Sequence, residues 1–497
     1  MLPETIRFGT SGVRGVTGKE ITIELARHIG WLYGRWKRLT YGAVPPNLTV
    51  AHDQRRGASA LAEAAARGLF AGGAGEVDLL GCVPTGVMCS HTAVGDYQGG
   101  VLVTGSHMPP DRIGIIPMNA DGTYATAEVT DLIEAAIVEY PERRWTVPWD
   151  EVGRRTGIAT PPILEGSYLQ RVLWNDPAVS RSTEVAQKGA TPLRATRASR
   201  FDLDALYRRR FRVLIDPGNG TAGRIAQLLF EAIGCEVEGI HLSPKPVPDR
   251  PSECRASSCT AAIERMRSGH FDLGACFDGD ADRVLFITHE GAPLSEDLVG
   301  AIFATAVLRR GDVCVTPINS GNLIEVVCRQ LGATIRYCRI GQPDTGRAVK
   351  EFGGAYMYEA SAKYGFPREF LWYDAIYAVA KMLDHMAQTG KSLAELAAEL
   401  PTFHRVDRNI PLDGASRDAV VVRALASARE TFADGARRVD DLDGLRFTFD
   451  DDAWVLLRPS GTEPLARVYA DAPSRDRAES LATAGERIFR DAMAVAG

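Results

Sequence analysis

Three times along its 497 residues the chain runs from a strand through a loop and a helix to two further strands. That repetition constrains the fold more than any composition figure does. Each copy opens on a β-branched run ending in a polar or glycine-rich loop, at 48–53, 212–220 and 312–321. Apolar residues at helical spacing follow over 58–70, 222–233 and 323–331. Second strands are predicted over 77–83, 237–242 and 334–340, and third strands over 100–104, 272–277 and 354–358. Strands alternating with helices predict three similar α/β domains with mixed, largely parallel sheets. The pattern changes after Thr402. Short strands at 445–449 and 454–457 and a helix at 477–493 predict a smaller C-terminal α+β domain. The predicted domains are 1–141, 142–297, 298–402 and 403–497. In the second, a helical piece at 168–174 precedes a polar surface insertion at about 175–200.

Ligands of parallel α/β sheets bind beyond the carboxyl ends of the strands, so the loops after the three third strands are where chemistry is expected. The second of these reads Asp278-Gly279-Asp280-Ala281-Asp282-Arg283. Three carboxylates this close repel one another unless a hard cation neutralises them, and oxygen-only ligation suits Mg²⁺. An EF-hand is excluded, because its sixth position would be Arg283 and its twelfth His289. Arg283 is placed to pair with a phosphate on the same metal.

The first loop carries Ser106 and His107 in Gly105-Ser106-His107-Met108-Pro109, without the Gly-x-Ser-x-Gly elbow of a hydrolase. The third carries Glu359, Ser361 and Lys363. Near the C-terminus, Arg458-Pro459-Ser460-Gly461-Thr462-Glu463-Pro464 joins two strands, with Arg467 on the second. Two hydroxyls, an arginine and a glycine-opened backbone form a nest for phosphate oxygens. A glycine-rich N-terminal loop offers Arg14 as a further phosphate clamp.

Together these loops resemble the α-D-phosphohexomutase family, which includes phosphoglucomutases, phosphomannomutases and phosphoglucosamine mutases. The resemblance rests on Phe8-Gly-Thr-Ser-Gly-Val-Arg-Gly15, Thr104-Gly-Ser-His-Met-Pro109, Asp278-Gly-Asp-Ala-Asp-Arg283 and Arg458-Pro-Ser-Gly-Thr-Glu-Pro464, in the family's order over nearly the whole chain. It implies four domains around a central cleft, and interconversion of sugar 1-phosphate and 6-phosphate. Ser106 would carry the phosphoryl group, with one Mg²⁺ between that group and Asp278, Asp280 and Asp282. A bisphosphorylated sugar would be the intermediate and activator. His107, Arg14, Arg283 and Lys363 would assist catalysis. Glu359, Ser361 and Lys363 would hold the sugar. Arg458, Ser460, Gly461, Thr462 and Arg467 would bind the non-reacting phosphate.

Two positions depart from the family pattern. The usual Asn-Gly-x-Lys reads Ile113-Gly114-Ile115-Ile116, and the histidine of the sugar loop is Lys363. Either Lys363, His107 or Asp111 would then take over proton handling, or the substrate is an unusual one, such as a modified or carbocyclic sugar phosphate. The alternatives are a phosphosugar-binding protein with weak catalysis, and a phosphosugar phosphatase.

Composition narrows the partners. Net charge is −6 and no Lys/Arg block stands out, which predicts no nucleic-acid partner. No apolar run is long enough to span a bilayer, no signal peptide is legible, and nine scattered cysteines fit a reducing cytoplasm. Cys82, Cys276, Cys314 and Cys338 sit among apolar residues. A small-molecule phosphosugar and a monomeric or homodimeric state complete the expectation.

Overall fold

Of the strands that the repeats predict, Gly99–Thr104 and Leu273–Phe277 are buried on both faces, as central strands of parallel sheets require, whereas Glu236–Gly239 and Thr334–Cys338, at sheet edges, are partly exposed. The computed structural model describes residues 8–9, 12–139, 156–157, 161–174, 199–412, 417–460 and 464–495. The chain divides into two units: Met1–Leu294 with Ala362–Glu395, and Ser295–Ser361 with Leu396–Gly497.

The first unit holds two mixed sheets. One runs in the order Phe8–Gly9, Gly12–Val16, Arg112–Asn119, Gly99–Thr104, Asn47–His52, Glu76–Cys82, Thr156–Gly157. Asn47–His52 is parallel to both neighbours, whereas Gly99–Thr104 pairs antiparallel with Arg112–Asn119. The helix Ile23–Tyr41, which has no counterpart among the predicted elements, starts at Thr22, whose hydroxyl accepts from the Leu25 amide. It crosses the helix Ala58–Ala71 backbone to backbone: a Cβ at Gly30 or Gly68 would overlap the facing carbonyl.

The second sheet runs Val284–Thr288, Leu273–Phe277, Arg212–Asp216, Glu236–Gly239. Its edge strand ends at Gly239, short of the predicted 242, because the chain turns through a positive φ at His241. The predicted helix at 168–174 is longer, spanning Pro161–Leu173. Most of the predicted insertion, 175–198, lies outside the described residues. Its last two residues are tied down: Ser199 bridges Trp174, and Arg200 Nε donates to the Arg171 carbonyl at 3.1 Å. A further helix, Leu203–Arg209, is capped by Asp202.

In the second unit, Thr334–Cys338, Val313–Pro317 and Tyr356–Glu359 pair in parallel. A five-stranded sheet follows, ordered His404–Pro411, Leu465–Ala472, Trp454–Pro459, Leu445–Thr448, Arg438–Asp440, antiparallel throughout. Helices Arg417–Phe432 and Arg475–Ala494 bury Val420, Ala424, Phe432, Leu481 and Phe489 with Phe447 and Val455 of that sheet. The fold class is therefore the predicted one: α/β domains with mixed sheets and a smaller C-terminal α+β domain.

Buried charge ties this unit together. Arg446 is fully buried between Tyr337 and Trp454 and donates to the carbonyls of Ile318 and Ser320 at 2.6 and 2.9 Å. Glu325 accepts from Arg438 at 2.7 Å, Arg437 at 3.1 Å and the Tyr337 hydroxyl at 2.7 Å. Burial alone would raise the Glu325 pKa, but the Arg438 hydrogen bonds and charge bring it down to about 2 from 4.5. A depressed carboxylate pKa contributes stability above its unfolded value and loses it as pH falls. Glu325→Gln is therefore expected to cost about 3 kcal/mol near neutral pH. The deficit should close as pH falls from 4.5 to about 2. Urea unfolding across that range checks it.

Eight of the nine free cysteines are buried. Cys82, expected among apolar residues, is instead exposed, because it ends its strand at the sheet margin. Among the described residues no helix is long and apolar enough to cross a membrane.

Candidate active site

The strand Gly99–Thr104 delivers Ser106 at its carboxyl end, on a turn where Ser106 takes a φ of 45°. A non-glycine residue in this region stores strain of order 1–3 kcal/mol and persists only when its surroundings over-determine it. Arg55 supplies that constraint. Its guanidinium is buried and donates to the carbonyls of Ser106 at 2.7 Å, Met108 at 2.6 Å and Arg112 at 2.9 Å, and also to that of Pro109. Its Nε pairs with Asp53 at 3.1 Å, and Asp53 in turn accepts from the Gly105 amide at 2.7 Å. A Cβ on Gly105 would overlap the Arg55 guanidinium, so this clamp leaves no room for a side chain there.

The strand Leu273–Phe277 delivers the acidic loop to the same place. Asp278, Asp280 and Asp282 are all buried, and one carboxylate oxygen of each lies within 4.8 Å of the others. Ser106 Oγ donates to Asp278 Oδ2 at 2.7 Å, and Thr104 Oγ1 donates to Asp280 Oδ2 at 2.8 Å. The other Asp278 oxygen accepts from the amides of Asp282 and Arg283, each at 3.2 Å. Burial and the neighbouring Asp280 and Asp282 hold the Asp278 carboxyl well above the usual range. Burial and Asp282 push Asp280 up to about 6. Asp282 moves the other way: burial would raise it, but Lys363 and Arg283 bring it below its ordinary value.

Lys363 Nζ lies 2.6 Å from Asp282 Oδ2 and 5.7 Å from the centre of the Tyr373 ring. Ala362 before it adopts a φ of 63°, and its carbonyl accepts from the Val284 amide at 3.1 Å. Arg283 Nε is 3.9 Å from Asp278 and 3.8 Å from Asp282. His107 Nδ1 is 3.4 Å from Ser106 Oγ; burial, then Arg283 and Arg14, lower its pKa to about 2, so the ring is neutral. Arg14 lies on the strand Gly12–Val16 rather than in a loop, because its segment pairs with Arg112–Asn119, and it sits within electrostatic range of Arg283, Asp280 and Asp282. The structure thus brings Ser106, His107, Arg14, Arg283, Lys363 and the three aspartates together. Ile116, where the usual lysine is missing, is a core residue opposite Leu102 on its strand, and Asp111 is exposed.

The remaining predicted site residues belong to the second unit. Glu359 ends the strand Tyr356–Glu359, and Ser361 follows it. Glu359 Oε2 and Ser361 Oγ are buried without a hydrogen-bond partner among the described residues. Arg458 and Arg467 stand directly opposite each other on adjacent strands, with Arg458 paired to Asp443 at 2.9 Å. Like charges in such register repel unless an anion joins them. Arg417 adds a third cation, donating to the Ser460 carbonyl. Gly461 and Thr462 lie outside the described residues.

Models of four phosphoglucomutase/phosphomannomutase domains match the chain in order. They cover α/β/α domain I at residues 5–144, domain II at 193–291, domain III at 295–403 and the C-terminal domain at 409–486. The chain belongs to this family. It is 28% identical over 491 residues to a phosphoglucomutase/phosphomannomutase of Thermococcus kodakarensis, covering 98% of this chain and 99% of that one. It is 30% identical over 481 residues to a probable phosphoglucosamine mutase of Methanopyrus kandleri, covering 95% of each. A phosphoglucomutase/phosphomannomutase family protein of Burkholderia thailandensis shares the fold, with a TM-score of 0.77, 23% identity and 97% of each chain covered. As a phosphohexomutase, the chain has its phosphomutase-type loops on a scaffold whose Arg55, Asp53 and Arg417 the sequence reading did not single out.

Proposed function

We propose that this phosphohexomutase interconverts sugar 1-phosphate and sugar 6-phosphate in the cytoplasm, through phosphorylated Ser106 and a bisphosphorylated sugar intermediate. The observation that carries this reading is Ser106 Oγ held 2.7 Å from Asp278 inside a buried triple-carboxylate cluster. Forward transfer breaks the bond between phosphorus and Ser106 Oγ and forms one to the sugar oxygen; the proton lost by the sugar hydroxyl is balanced by one taken up at Ser106 Oγ, which leaves as the hydroxyl bonded to Asp278. After the intermediate reorients, its other phosphoryl group returns to Ser106, whose hydrogen leaves along the bond already made to Asp278.

Mg²⁺ fits this donor set. All three ligands are carboxylates, and Asp280 Oδ1 and Asp282 Oδ1 are buried without a hydrogen-bond partner among the described residues. Asp278, Asp280, Asp282 and the oxygen on Ser106 would hold the ion, which when bound supplies charge stabilisation for the transferring group. Arg283 and Arg14 act on the same charge, and neutral His107 stands beside Ser106 Oγ without adding a competing one. Glu359, Ser361 and Lys363 would take the sugar hydroxyls. Arg458, Ser460, Gly461, Thr462 and Arg467, joined by Arg417, would take the distal phosphate. The domain limits at 141/142, 297/298 and 402/403 would give each loop its own domain.

Lys363 and Ile116 in place of the usual histidine and lysine favour a sugar other than glucose or mannose, such as a modified or carbocyclic one. A panel of sugar 1-phosphates with Mg²⁺ and a trace of bisphosphorylated hexose tests this, with products resolved by NMR. Isomerised product from a modified sugar, at least about tenfold faster than from glucose or mannose 1-phosphate, is the expected result. Family-normal turnover of the common sugars would reject the substrate reading. Phosphate release without isomer would replace the mutase by a phosphatase.

A further inference from the structure

Lys363 is only 6% exposed, and its place is fixed by its surroundings. The preceding carbonyl is bonded to Val284, directly after the acidic loop, and the Tyr373 ring lies beside the ammonium. Its ammonium takes one oxygen of Asp282; the other, Oδ1, has no hydrogen-bond partner among the described residues and faces Arg283 Nε at 3.8 Å. Three carboxylates face two paired cations, Lys363 and Arg283, with Arg14 also within electrostatic range, so little net negative charge is left for a metal. A divalent ion entering that cluster meets a fixed positive charge already seated on one of its ligands.

We propose that Lys363 is a resident counter-cation of the acidic loop that weakens divalent-cation binding until Ser106 is phosphorylated. A phosphoserine adds about 1.5 to 2 negative charges near neutral pH. Placed on Ser106 Oγ, beside Asp278, that charge restores what Lys363 removes. Metal occupancy is thereby coupled to the charged, reaction-ready form of the protein, and the dephosphorylated form keeps its carboxylates together without a metal. If the lysine served mainly to aim Asp282 at the ion, removing it would weaken metal binding.

The inference rests on the metal reading above, and calorimetric titration with Mg²⁺ and Mn²⁺ separates the two. The titrations use full-length protein whose phosphorylation state is verified by intact mass. In dephosphorylated protein, Lys363→Met is expected to bind either ion at least about tenfold tighter than wild type. Wild type phosphorylated by a bisphosphorylated hexose should tighten by at least a similar factor, about tenfold. In chelator, Lys363→Met should melt at a lower temperature than wild type, and Mg²⁺ should raise its Tm more steeply. Lys363→Arg, which keeps the charge, should stay near wild type in affinity. If Lys363→Met lacks the wild-type circular dichroism spectrum, Lys363→Gln is read in its place. Equal or weaker binding by the uncharged variant overturns this inference alone. Absence of metal binding in every form overturns the metal reading and this inference with it.

Discussion

Arg55→Met is expected to lower the stability of the protein by about 3–5 kcal/mol, the cost of leaving a buried partner charge unpaired. Asp53, fully buried, would keep, among the described residues, its bonds from the amides of Gly105 and residue 55. The carbonyls of Ser106, Met108 and Arg112 would lose the donor that fixes their direction. Urea unfolding monitored by circular dichroism reads the loss. Arg55→Lys should recover part of it, since an ammonium can answer Asp53 but cannot fork to several carbonyls. A loss below about 1 kcal/mol in Arg55→Met would show that the Ser106 turn holds itself without the clamp.

Ser106→Ala is expected to reduce mutase turnover by at least about 10³-fold while leaving the fold intact, because the proposed mechanism carries the transferred group on the Ser106 hydroxyl. The variant removes the hydrogen bond to Asp278 and no apolar packing. Its melting temperature should therefore stay close to that of the parent, and a coupled assay with sugar 1-phosphate reads the activity. Residual turnover within about tenfold of wild type would place the phosphoryl carrier elsewhere.

The two outcomes depend on features that were unequally legible in the sequence. The acidic loop could be read because three aspartates in alternation behind an apolar strand conflict with ordinary packing. The structure buries all three in one cluster. Arg55 could not be read. Gln54-Arg55-Arg56 looks like a solvated basic turn, and its carbonyl partners lie more than fifty residues away in sequence. Ile116 was visible as a departure, but its cause is tertiary: it packs into a sheet core facing Leu102 across the ladder. Lys363 was likewise visible as a replaced histidine, whereas its ion pair with Asp282 exists only once the two segments meet. Arg417 begins a helix, and only the fold brings it to Ser460. Local chemistry was therefore readable where like charges crowd together, and unreadable where one side chain serves distant backbone.

Phosphopeptide mapping after incubation with a bisphosphorylated hexose and Mg²⁺, followed by a chase with sugar monophosphate, tests the central claim most directly. The account predicts one phosphorylated peptide, with the phosphate on Ser106 and transferred to sugar during the chase. A phosphate located on another residue, or no phosphate under any of these conditions, would contradict it.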